Sequence, residues 1–152
     1  RNERVFELSF LSRKEFWEML KRLKQQGITI LVSTPYMDEA TLCERIALIQ
    51  NGKIMSIDTP DKIVKQYPKQ LFAIKATKMS NLLSDLREYN SIESCNSFGE
   101  YHHITFETES ENGSERECKE LIKYLNSKNY ESIDLKIITP TIEDCFIKLM
   151  NT

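Results

Sequence analysis

The sequence predicts a mixed fold, α/β in its first part and α+β overall, and three observations carry that prediction. Near the start, a helical apolar period stands directly before a β-branched apolar run, as in a layer where helices cover a sheet. From about residue 70, the patterns follow one another in the order β-α-β-β-α-β. Between the two lies Tyr67-Pro68, and charge divides there: residues 1–67 hold 11 basic and 9 acidic side chains (+2), and residues 68–152 hold 10 and 14 (−4). Two modules are therefore expected, 1–67 and 68–152.

The first module opens with Ser12 and Glu15, spaced as a capping box in which hydroxyl and carboxylate satisfy backbone donors reciprocally. Phe16, Met19, Leu20 and Leu23 follow at helical spacing, and Gly27 suits the left-handed position after a last turn. Ile28 to Ser33 is short, β-branched and almost wholly apolar, the pattern of a strand covered on both faces. Pro35 ends it, Tyr36 to Cys43 suits a short helix, and Arg45 to Gln50 a second apolar strand. Asn51-Gly52 is a hairpin turn signal, returning through Lys53 to Asp58. Thr59, Pro60 and Asp61 then supply a cap, a first-turn proline and a carboxylate at the positive end of a helix dipole.

In the second module, Gln70 to Thr77 reads as a strand and Ser80 to Tyr89 as a helix with Leu82, Leu83 and Leu86 on one face. Ile92 to Phe98 and Tyr101 to Thr108 form two strands joined at Gly99-Glu100. Glu109 to Gly113 reads as a polar loop, and Ser114 with Glu117 as a second capping box. The helix it opens buries Cys118, Leu121, Ile122 and Leu125. Ile133 to Ile138 is the last strand. Thr141 to Asp144 caps a terminal helix with the stripe Ile142, Cys145, Phe146 and Leu149. A βαββαβ order of this kind is the ferredoxin-like, split βαβ arrangement.

Composition excludes several functions. The formal net charge is −2, so the basic surplus of a phosphate-binding surface is missing. The 40% hydrophobic share supports a real core, but no apolar run reaches the 18 residues of a membrane span. Arg1 to Phe10 lacks the apolar stretch of a signal peptide. The four glycines, Gly27, Gly52, Gly99 and Gly113, stand too far apart for a phosphate-cradling loop. Cys43, Cys95, Cys118 and Cys145 show no CxxC pair or His/Cys cluster, so zinc is not indicated. Reduced thiols packed as small hydrophobes are the expected state.

From Ser12 to about Ile63 the chain resembles the last third of an ABC transporter nucleotide-binding domain. The matching pieces are ITILVST (Ile28–Thr34), YMDEA (Tyr36–Ala40), ERIALIQNGKI (Glu44–Ile54) and DTPDKI (Asp58–Ile63), in order and at the family's spacing. TPTIEDCFIKLM (Thr139–Met150) resembles the ending of the accessory C-terminal domain on exporter-type ATPases of that family. The resemblance implies a partial P-loop NTPase α/β segment over 1–67 and a ferredoxin-like accessory or regulatory domain over 68–152. It also implies ATP and Mg²⁺ as cofactors of the intact parent, a membrane-spanning transporter subunit and a second nucleotide-binding domain as partners, and a cytoplasmic place at the inner face of the membrane. Thr34, Pro35 and Tyr36 would lie beside the nucleotide.

Two departures bear on activity. The family's switch histidine should stand where this chain has Pro35, and proline has neither a titratable ring nor an N–H. That resembles the degenerate half-site of ATPases with two unequal nucleotide-binding domains. The Walker A, signature and Walker B motifs would lie upstream of Arg1, and Glu7 to Leu11 do not read as a D-loop around Ser9. Phosphoryl transfer depends on exactly those positioning groups and their Mg²⁺, so this chain alone is expected to be inactive and to bind no cofactor.

Other features have plainer readings. Asp38 and Glu39 are adjacent, diverge on a helix, and suit its positive end better than acid–base work. His102 and His103, adjacent in a strand, face opposite sides and do not share an ion; one half-buried and one solvated ring is expected. Glu107, Glu109 and Glu111 read as a solvated tip, and Trp17 stands off the centre of its helix stripe, where an interface role is open. Tyr36 either meets nucleotide or packs its own helix. Three functions follow: the ATP-binding subunit fragment, a small-molecule sensing or dimerisation module, and RNA binding. The last falls because Tyr101 to Phe106 has aromatic ends but no glycine or Lys/Arg between them. Self-association is expected, since Ile28 to Ser33 severed from neighbouring strands exposes an edge and an apolar face.

Overall fold

The computed structural model describes residues 10–107 and 111–151, the side chains of 10, 11 and 111–114 excepted. The chain divides into two compact units, residues 1–35 and 36–152.

The first unit contains α1 (Phe10–Gln25), a turn at Gln26-Gly27 and the run that follows. Gly27 has φ +84°, the left-handed stop expected of it. The helix begins at Phe10, ahead of Ser12, so the capping box expected at Ser12–Glu15 lies inside the helix instead of opening it. Ile28 to Thr34 joins no strand ladder among the described residues, which corrects the strand expected there. Ile30, Val32 and Thr34 are half-buried, while Leu31 is 98% exposed and Ile28 47%. The alternation of a strand is present, without a neighbour to pair with.

The second unit begins with α2 (Met37–Ala40), β1 (Ile46–Gln50), β2 (Lys53–Asp58) and α3 (Pro60–Lys65). β1 and β2 form an antiparallel hairpin. Its turn places Asn51 at φ 50° and Gly52 at φ 73°, the two left-handed residues that match the twist of the flanking strands. Thr59 caps α3 by accepting from the Lys62 N–H at 3.4 Å, with Pro60 in the first turn.

The remaining elements are β3 (Leu71–Lys75), α4 (Met79–Glu88), β4 (Ile92–Phe98), β5 (Tyr101–Phe106), α5 (Glu111–Ser127), β6 (Asp134–Ile138) and α6 (Ile142–Met150). Their sheet is antiparallel in the order β4-β5-β3-β6. Each helical crossover therefore passes over one intervening strand: β5 lies between β3 and β4, and β3 between β5 and β6. The fold is α+β, with two antiparallel sheets among the described residues. α5 starts at Glu111, so the loop expected through Gly113 is helical from Glu111, and Ser114 lies within the helix; residues 109 and 110 are outside the described residues.

Two cores form. On one face of the four-stranded sheet, Phe72, Ile74, Ile104 and Phe106 meet Leu82 and Leu86 of α4 and Leu121 and Leu125 of α5. The four leucines and both isoleucines are 0% exposed, each contributing about 1.5–3 kcal/mol of burial. In the second core, Leu48 and Ile63 meet Ile142 and Cys145, so α6 packs on β1 and α3 as well as on α2. Leu71 and Ala73, on the opposite face of β3 from Phe72 and Ile74, are each only 2% exposed.

Candidate functional site

The residues the sequence singles out, Thr34, Pro35 and Tyr36, are consecutive, and the division between the two units falls between Pro35 and Tyr36. Thr34 is half-buried and Pro35 exposed. Tyr36 is 48% exposed and extended, at φ −93° and ψ 109°. Its carbonyl accepts from the Glu39 N–H at 3.2 Å, which starts α2, but its side chain makes no cap. Asp38 and Glu39 occupy the first turn, where the helix dipole favours them. Thr41 closes the turn by donating Oγ1–H to the Asp38 carbonyl at 2.7 Å. Met37 and Ala40 face the second core, while Tyr36 is not among the residues packed there.

The chemistry of this donor set is sparse. Pro35 offers no N–H and no ring nitrogen, so one hydroxyl and one phenol are the only side-chain polar groups of residues 34–36. α2 is only four residues long, too short for an anion site at its start. Gly27, Gly52 and Gly99 lie in the α1 stop and in two strand turns. These residues by themselves do not fit a triphosphate or its metal ion. Among the described residues, no group of three His, Cys, Asp or Glu side chains is disposed to hold a metal.

The best-connected polar centre lies in the second unit, around α6. Asp144 is 5% exposed. Its Oδ1 accepts from His103 Nδ1 at 2.8 Å, and its Oδ2 from the Thr141 N–H at 2.8 Å and hydroxyl at 2.7 Å. Thr141 Oγ1 in turn accepts from the Asp144 N–H at 3.2 Å, completing the capping box read in the sequence. Burial works against the Asp144 charge, yet the hydrogen bonds from His103 and Thr141 outweigh it and hold its carboxyl below the ordinary value. The His103 ring also stacks on Phe98 at 4.1 Å and 12°.

Neighbouring groups tie the same helix to the sheet. Glu93 of β4 pairs with Lys69 at 3.1 Å and with Lys148 of α6 at 3.3 Å. Burial raises the Glu93 carboxyl, but the two lysines lower it further. The Tyr67 phenol is pushed up to about 12, first by burial and then by the charge of Asp144. The two histidines do face opposite ways, as their strand positions require. Neither is solvated, which corrects the exposed ring expected of one: His102 is 3% exposed with Nε2 2.8 Å from the Met79 carbonyl, and the His103 side chain is 12% exposed. The pairing of His103 with Asp144, 41 residues away, had no local signal; only the docking of α6 reveals it.

On the face of the sheet that bears His103, Tyr101 donates its hydroxyl to Asp134 at 2.8 Å and accepts from Lys136 at 3.1 Å. Lys75 and Lys136 lie 4.7 Å and 4.2 Å from its ring centroid. The basic side chains missing along β5 thus arrive from β3 and β6. The Tyr101 hydroxyl first, then the charges of Glu100 and Asp134, hold the Lys75 ammonium above its ordinary value; two carboxylates thus stand against two lysines, and the patch is not a net cationic surface.

No helix among the described residues is long and apolar enough to cross a membrane. No protein-family model matches the chain. The chain is similar to the probable multidrug ABC transporter ATP-binding protein YbhF of Escherichia coli, with 41% identity over 56 residues, 37% of this chain and 10% of that protein. It is 34% identical over 89 residues to the human retinal-specific phospholipid-transporting ATPase ABCA4, 58% of this chain and 4% of that one. A daunorubicin resistance ATP-binding protein, DrrA2 of Streptomyces coeruleorubidus, is 43% identical over 51 residues, 33% and 16% of the two chains. The relatives are ABC transporter ATP-binding proteins, and the match spans a small fraction of their length.

Proposed function

We propose that this chain is the C-terminal part of the ATP-binding subunit of an ABC-type exporter. In this reading residues 1–67 are the closing segment of its nucleotide-binding domain, and residues 68–152 a ferredoxin-like accessory domain. The observation that carries the proposal is the succession from residue 28 to 65: an alternating apolar run with a bare face, Pro35, the short helix α2, the hairpin β1–β2 and the capped helix α3. It follows the order of motifs by which the sequence resembles that family, with the run over 28–34 unpaired among the described residues. The similarity to YbhF and DrrA2 supports the first part. The similarity to ABCA4 covers 89 residues, more than residues 1–67 contain, and so supports a relationship that extends into the second part. The βαββαβ order with strands arranged β4-β5-β3-β6 supports the ferredoxin-like assignment.

In the intact subunit, Thr34, Pro35 and Tyr36 would form the wall behind the terminal phosphate. Mg²⁺ and the phosphates would be held by groups that residues 1–152 do not supply, and Pro35 would leave the switch position without a proton carrier. The chain alone is then incompetent, and its contribution is mechanical: a surface that couples nucleotide state to a membrane-spanning partner and to a second nucleotide-binding domain, at the cytoplasmic face of the membrane. Calorimetric titration of the chain with Mg²⁺ and a non-hydrolysable ATP analogue tests this. Absence of binding below millimolar concentration is the expected result. Saturable micromolar binding would mean that these residues hold phosphates unaided, and the proposal would fall.

A further inference from the structure

Among the described residues, β6 hydrogen-bonds only to β3, which leaves its outer edge open. An open edge is a row of unpaired N–H and C=O groups, a template for another strand. The register with β3 sorts its side chains. Leu135 and Ile137 stand opposite Ile74 and Phe72, on the helix-covered face, whereas Asp134 and Lys136 stand opposite Lys75 and Ala73, on the other. Ile137 is 62% exposed although it lies on the core side of the sheet. Beside it runs a groove of about 570 Å³, lined by Phe72, Cys118, Ile122, Leu135 and Ile137 among others.

The residues of this edge complement themselves. Two antiparallel copies of β6 centred on Leu135 set each Asp134 opposite the Lys136 of the other copy, twice, on one face. On the other face Leu135 meets Leu135, and Ile133 meets Ile137. Shifting the centre to Lys136 sets two lysines opposite, and shifting it to Asp134 sets two aspartates opposite, both unfavourable. Each of these registers keeps the side-chain faces matched, but only the first avoids like charges. Within one chain Asp134 and Lys136 each bond to Tyr101, on the same face of the sheet; the cross-strand pairs add to or replace those contacts. Pro140 lies beyond the strand and does not interrupt the pairing.

We propose that the occupant of this edge is a second copy of the same chain, and that two β6 strands join antiparallel about Leu135 to make one continuous eight-stranded sheet. Ile137 is then covered by Ile133 of the other copy at the rim of the groove. Nothing in this pairing depends on a nucleotide, so it stands apart from the reading of residues 34–36.

Light scattering and sedimentation of the full chain, with its D134K and K136D variants, test the register. Each single swap turns both cross-strand pairs into like charges and is expected to raise the dimer dissociation constant at least about tenfold. An equimolar mixture of the two variants restores opposite charges at every pair, so it is expected to dimerise where neither variant does alone. Circular dichroism of each variant confirms that it is folded. In the unmodified chain, the alternate amides of 133–138 that point to the open edge are expected to exchange more slowly as concentration rises. A monomer at all concentrations would overturn the proposal. So would an association that survives both single swaps, as it would if the bare Ile28 and Leu31 drove it, or a mixture that does not recover.

Discussion

Asp144 offers the sharpest test of how the second unit is held together. D144A removes three acceptor contacts at 2.7–2.8 Å, two to Thr141 and one to His103. Losing its half of the capping box costs about 1 kcal/mol. Leaving His103 half-buried without its carboxylate costs about 1.5–3 kcal/mol more, as for other hydrogen bonds involving a charged group. The sum, about 2.5–4 kcal/mol, is large for a domain of this size. D144N keeps one oxygen for Thr141 but loses the charge and sets an NH2 donor against His103 in place of the other oxygen, so about half of that effect is expected. Urea unfolding followed by circular dichroism is the assay, since Trp17, the one tryptophan, lies in the other unit. The sign of the pH dependence follows from the lowered Asp144 carboxyl. Its stabilisation is fully present above the unfolded value of about 4 and is lost as pH falls through the folded value. The unmodified chain is therefore expected to weaken on acidification more steeply than D144N. A D144A protein within about 0.5 kcal/mol of the original, the range of ordinary surface changes, would refute the argument.

Three further outcomes are expected. Ile104→Ala, at a site 0% exposed between sheet and helices, should destabilise by about 2–5 kcal/mol in the same denaturation, whereas Leu31→Ala, 98% exposed, should change it by less than about 0.5 kcal/mol. Gly52→Ala meets no atom within 4 Å, yet φ +73° makes it cost about 1 kcal/mol through conformation alone; an unchanged melting temperature would contradict the turn. All four cysteines are free. Burial raises all four thiols, those of the buried Cys95 and Cys145 to about 11, so a thiol reagent should modify the half-buried Cys43 and Cys118 first, as mass mapping would show.

Much of the second unit was legible because its signals are local. Asn51-Gly52, Thr59-Pro60 and Thr141 to Asp144 each specify a turn or cap by their own chemistry, and each forms as read. The stripe of Leu82 and Leu86, and that of Leu121 and Leu125, point to the core as their periods require. What failed depended on partners or on competing neighbours. Ile28 to Ser33 has the composition of a buried strand, but a strand exists only by pairing, and composition cannot supply the neighbour. Ser12 and Ser114 have good capping chemistry, yet helical residues continue upstream of each and displace the start. The candidate residues 34–36 were reached through resemblance, whereas the contacts of His103 and Tyr101 arise between strands and helices far apart in sequence. No spacing along the chain announces those.

The position of α6 also orders events in time. Ile63 and Cys145 touch across 82 residues of sequence, and Leu48 shares their core. During synthesis, the hairpin β1–β2 and helix α3 emerge well before α6, with Leu48 and Ile63 uncovered, and all four strands of the later sheet are made before Ile142 and Cys145 arrive to cover Leu48 and Ile63. Non-local closure of this kind is slow, and an apolar surface left waiting is where a growing chain strays. A nascent chain halted just before Thr141 would carry a complete sheet and an unfinished core, a species that a chaperone could recognise by that half-built surface.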